Sequence, residues 1–191
     1  GIGKDGSTPM GNGSTGMVIA FGASHNEIGN IGYGNFIANN DSGGVVIMGS
    51  NSLYNRISAN SIYDNNFIGI DIMPEGVNQN DAGDTDSGPN NMQNYPVITS
   101  TGYNSATGRT FITGTLDTPF NPENYIEIYK VETSDIFNHG QGKIFLGNTF
   151  SEANGHWTIS VEGLTDGDII TAIAGDSTGN TSEFSQNFTV T

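Results

Sequence analysis

Three aspartates, Asp81, Asp84 and Asp86, fall within six positions of the segment NQNDAGDTDSGPNNMQNYP, residues 78–96, and the nearest basic side chains are Arg56 and Arg109. Carboxylates about 5 Å apart repel by roughly 1 kcal/mol per pair in water and by several times that near a protein surface. Oxygen donors held so close suit a hard divalent cation. Asp84-x-Asp86-x-Gly88 supplies spaced carboxylates and a glycine for a sharp turn, and Asn80, Asp81, Asn90 and Asn91 offer further oxygens. Calcium is the expected ion. The loop is not an EF-hand, because Tyr95 stands twelfth from Asp84, where a bidentate Glu belongs, and the glycine comes one residue early.

Other motifs carry less chemistry. GNGSTG, residues 11–16, fits the dinucleotide fingerprint G-x-G-x-x-G, but the strand-like MVIAF follows it where a helix is required, so it reads as a turn. GDSTG, residues 175–179, fits the serine-nucleophile pattern but lies between two strand patterns, without the strand-to-helix elbow that exposes such a serine. His25, His139 and His156 share no metal-ligand spacing. Glycan cleavage needs paired carboxylates or a base beside an ion, and the first half of the chain offers only Lys4 and Arg56 as bases. Asp64 and Asp71 are placed to pair with Arg56 structurally, so no catalytic residue is expected. Tyr33, Tyr54 and Tyr63 form either an aromatic stripe that stacks on sugar rings or corner packing.

Composition narrows the partners. The net charge of −15 argues against nucleic acid and anionic membranes, whose phosphates are neutralised by Lys and Arg, and favours cations. The absence of cysteine excludes disulfides and thiolate metal sites. No apolar run reaches the length of a membrane span, so no membrane insertion is expected. The start at Gly1, with neither a charged nor an apolar leader, reads as an excised or mature piece.

The elements that must position these residues are β-strands, since 28 glycines with abundant Asn, Ser and Thr favour turns, and no helical period appears. Internal similarity is visible in the first half. GNFIANND at Gly34 is echoed by ANSIYDNN at Ala59, and GMVIA, GVVIM and GIDIM begin successive units at Gly16, Gly44 and Gly69. The unequal unit lengths, 28 and 25 residues, suit a solenoid whose coils differ by small loop insertions. The expected fold for residues 1–96 is a parallel β-helix. Val18, Val46 and Ile70 are expected to stack inward, as are Ile28 on Ile57 and Ile37 on Ile62, with Asn35 over Asn60 as an amide ladder. Residues 97–191 contain seven longer alternating strand patterns, which predict an immunoglobulin-like β-sandwich.

NSIYDNNFIGIDI, NDAGDTDSGPNNMQNYPVITS, IEIY and GDIITAIAGDSTGNTSEFS, in that order and spacing, resemble the C-terminal coils and adjoining immunoglobulin-like module of large secreted bacterial proteins with right-handed parallel β-helix repeats. The resemblance covers nearly the whole chain and implies an architecture and an extracellular or cell-surface setting, but no single activity. The expected function is a non-catalytic structural or adhesive module stiffened by calcium at a small joint between its two domains. Its expected partners are calcium, surface glycans or neighbouring modules of the same protein. The alternative is a carbohydrate-active fragment of lyase or hydrolase type, or a glycan-binding one.

Overall fold

The computed structural model describes residues 1–121, 123–132 and 136–191. Among them the chain is all-β, without an α-helix, and forms several sheets, none of them closed.

The first seven strands are two or three residues long: β1 (Met17–Ile19), β2 (Glu27–Ile28), β3 (Phe36–Ala38), β4 (Val45–Ile47), β5 (Arg56–Ile57), β6 (Ser61–Tyr63) and β7 (Ile70–Ile72). They pair in parallel with the strand three places on, β1 with β4 and β4 with β7, β2 with β5, and β3 with β6. The chain therefore visits three ladders in turn and lays each circuit on the last. The glycine opening each circuit follows from this stacking. A Cβ on Gly44 would lie 2.5 Å from the carbonyl oxygen of Gly69, a backbone atom that cannot move aside.

Ile28 pairs with Ile57, Ile37 with Ile62, and all four join one buried cluster. The expected stack of Val18, Val46 and Ile70 is displaced by one residue. Val18 pairs with Val46 and Val46 with Asp71, whereas Ile70 pairs with Val45. The inward residues are Ile19, Val45, Ile47, Ile70 and Ile72. A one-residue slip moves every side chain to the opposite face, and the outer position tolerates Asp71 where the inner one requires hydrocarbon.

Asparagines secure the corners. The Asn35 side-chain amide donates to Asn60 Oδ1 at 2.9 Å, as expected, and two further ladders run from Asn26 to Asn55 and from Asn40 to Asn65, at 2.8 and 2.7 Å. Each amide satisfies polar groups that a turn would otherwise leave unpaired beside the core.

After Pro96 seven strands follow: β8 (Val97–Asn104), β9 (Arg109–Thr115), β10 (Tyr125–Val131), β11 (Ile144–Phe150), β12 (His156–Val161), β13 (Ile169–Gly175) and β14 (Phe188–Thr189). They form two antiparallel sheets, ordered β12-β9-β8 and β11-β10-β13-β14. Both sheets contribute to a second buried cluster, which includes Ile112, Ile126, Trp157 and Ile170. The alternation of Trp157 and Val161 against Thr158 in β12 matches the burial. The strand expected over EFSQNFTV is shorter than its pattern. Ser182 and Ser185 donate backbone N–H to Ala174 and Ala172, and their hydroxyls accept from the same residues. Side chains thereby replace part of the ladder and release Thr181 and Glu183 for other partners.

Candidate functional site

The last circuit of the parallel strands leaves one edge of β5, β6 and β7 open, and residues from the second half close it. Ile57 N–H donates to Thr181 Oγ1 at 3.0 Å, Ile62 N–H to the Gly142 carbonyl at 2.9 Å, and Ile72 N–H to Glu183 Oε1 at 2.9 Å. The amide ladders are completed by residues from outside the circuits. Asn65 N–H donates to Gln141 Oε1 at 2.9 Å, and Asn55 N–H to Asn90 Oδ1 at 3.0 Å. Ser58 Oγ and Ala59 N–H both donate to the fully buried carboxylate of Glu127. Tyr129, Ile173 and Phe184 share the cluster of the short parallel strands, so the two halves have a continuous core. The small joint expected between them is instead a broad packed contact.

The acidic loop leads into this contact. Asp81, Asp84 and Asp86 each present an oxygen, with all three atoms within 4.8 Å of one another. Two ligands at about 2.4 Å from one calcium ion are at most about 4.8 Å apart, so the spacing and the hard oxygen donors fit this ion. Asp84 is buried. Its carboxylate accepts from Asn94 N–H at 2.8 Å, from the Gln93 side-chain amide at 2.9 Å and from the Thr118 hydroxyl. Burial raises its pKa above the usual aspartate value, against these hydrogen bonds, and the neighbouring Asp81 and Asp86 charges raise it further. Burial and Asp81 raise Asp86 as well. Asp81 moves the other way, because the Thr85 hydroxyl and N–H both donate to it.

The expected amide ligands are engaged elsewhere. Asn80 closes a two-way clasp on the Tyr95 backbone, donating to its carbonyl at 2.8 Å and accepting from its N–H at 3.0 Å. Asn90 is fully buried in the corner ladder, where its amide also donates to the Asn55 and Thr181 carbonyls. These two side chains position the loop, and sequence proximity alone suggested them as ligands. Asn91 lies exposed beside Asn90.

The three tyrosines do not share one surface. Tyr33 is exposed on a turn. Tyr63 lies beneath the Lys143 ammonium, 4.5 Å from its ring centre. Tyr54 stacks on His25 at 4.8 Å and lines a cleft of about 560 Å³ between the short parallel strands and the antiparallel sheets. Arg56 lies in the same cleft, its guanidinium 4.7 Å over the Tyr125 ring, and makes no ion pair among the described residues. Asp71 instead accepts from Gly76 N–H, and Asp64 contributes to the field at Lys143.

The serine pattern is a turn, as expected, with Asp176 accepting from the N–H groups of Thr178, Gly179 and Asn180. Sequence reasoning missed Glu127, Gln141, Thr181 and Glu183. Only Glu127 carried a signal, a charge inside the apolar strand pattern YIEIYKV, whereas Gln141, Thr181 and Glu183 stand outside such patterns. No helix among the described residues is long and apolar enough to cross a membrane. The chain matches no known protein-family model.

Proposed function

We propose that this chain is a non-catalytic structural or adhesive module of an extracellular protein: a short parallel β-helix terminated by an immunoglobulin-like sandwich and stabilised by calcium on the 81–86 loop. The observation that carries this reading is the closure of the last coil by side chains from the second half. Thr181, Gln141 and Glu183 take up N–H groups that another coil would otherwise meet. An exposed parallel edge invites pairing with other chains, so a stack of coils needs such a terminator. The resemblance to secreted bacterial β-helix repeat proteins supports the extracellular setting, where calcium is abundant.

Calcium would join Asp81, Asp84 and Asp86, relieve their mutual repulsion and tie the loop to Asn94 and Thr118, which already hold Asp84. At a hundredfold excess over its dissociation constant, a ligand confined to the folded state adds about 2.7 kcal/mol. The expected result is a higher melting temperature in millimolar calcium than in chelator, abolished by Asp81→Asn with Asp86→Asn. X-ray scattering should be unchanged by chelator, because the shared core holds the halves together without the ion. Identical melting in calcium and chelator would remove calcium from this reading.

A further inference from the structure

We propose that the cleft between the coils and the antiparallel sheets binds a neutral oligosaccharide, stacked on Tyr54 and hydrogen-bonded by Arg56 and Glu123. This goes beyond a structural role, because it assigns the module a ligand of its own. The cleft volume, about 560 Å³, falls within the range of ~300–1,000 Å³ usual for small-molecule sites.

The walls combine apolar faces with unspent polar groups. Tyr54 and its stacked partner His25 form one platform, and the side chains of Ile31 and Phe150, both more than half exposed, extend it. Both His25 and Tyr54 hold a left-handed backbone, with φ of 58° and 61°.

Arg56 supplies the donors. Its Nε is buried without a hydrogen-bond partner among the described residues, and its guanidinium is fixed over Tyr125. A buried donor in that state gains when a ligand hydroxyl or an ordered water reaches it.

Four carboxylates line the same cleft against a single guanidinium, so an anionic ligand is repelled. Glu127 is spent on Ser58, Ala59 and Tyr129, and Asp176 on its own turn, so neither offers a free ion-pairing face to a cationic ligand. Both nevertheless add negative potential that repels an anion, against a single guanidinium. Glu27 accepts from Asn30, which leaves the exposed Glu123 at the rim as the freest acceptor. Hydroxyl groups, which donate to a carboxylate and accept from a guanidinium, complement this mixture, and the apolar face of a pyranose ring complements Tyr54.

Isothermal titration of the whole chain with cellotetraose, xylotetraose, mannotetraose and chitotetraose tests the assignment, with tetragalacturonate and tetralysine as the charged arms. At least one neutral tetramer should bind, and Tyr54→Ala and Glu123→Gln should each weaken it at least tenfold without changing the melting temperature. Arg56→Lys should weaken it as well. Glu123 is exposed at the rim, so its variant reports on binding even if changes at Arg56 disturb folding. The proposal is overturned if no neutral tetramer binds, if only a charged probe binds, or if Tyr54→Ala and Glu123→Gln leave the affinity intact.

Discussion

At the scale of single residues, the terminating contact depends on carboxylates buried where N–H groups need acceptors. Glu183 accepts from Ile72 N–H and Asn78 N–H and is almost fully buried. Burial pushes its pKa from 4.5 up to about 7, against the hydrogen bonds that favour its charge, and the nearby Asp71 adds to the rise. Burial likewise raises Asp71 from 3.8 to about 6. A carboxyl whose pKa is higher in the folded protein holds more protons folded than unfolded between the two values. The stability that these two carboxyls contribute is therefore fully present below about pH 4 and is lost as pH rises toward 7. For Glu183 the full decline is worth about 3 kcal/mol. Denaturant titrations at half-unit pH intervals should show this slope, and Glu183→Gln should flatten most of it. An unchanged slope in that variant would assign the effect to another group.

At the scale of elements, the parallel strands test how far a repeat can be read. The expectation that Val45→Asp unfolds the protein while Val18→Asp is tolerated follows from the observed register. Val45 is fully buried in the coil cluster and Val18 is half exposed. An unpaired charge at the first position costs several kcal/mol. Thermal melts of the two variants check it, and equal losses would contradict the register. The circuits themselves were legible, because Gly16, Gly44 and Gly69, the paired isoleucines and the Asn35–Asn60 ladder recur at similar spacing. The strand phase was not, since MVI and VVI are apolar at every position. Asp71 at the centre of IDI was the one residue that marked the outer face. The aspartate cluster was likewise legible from spacing alone. The roles of Asn80 and Asn90 were not, because their partners Tyr95, Asn55 and Thr181 lie up to 91 residues away in sequence.

At the scale of the whole molecule, two clusters of different dependence share the chain. The second cluster is built within residues 97–191, from Ile112, Ile126, Trp157 and their neighbours. The first draws on both halves, because Tyr129, Ile173 and Phe184 belong to one cluster with Ile57, Ile62, Ile70 and Ile72. Cutting the chain at Pro96 should therefore act asymmetrically. The fragment 97–191 keeps its own core and should fold, with Trp157 still shielded from quenchers. The fragment 1–96 loses the residues that close it and exposes three parallel edges together with apolar residues of its core. Stacks of this kind need several circuits for stability, and uncovered edges pair with other chains. It should show no cooperative melt as a monomer and should associate on concentration. Mixing the fragments should restore a cooperative transition, since the hydrogen bonds from Ile57, Ile62, Asn65 and Ile72 recover their acceptors. A monomeric 1–96 fragment that melts cooperatively by itself would show that the coils stand without the sheets, and that the second half has some task other than closing them.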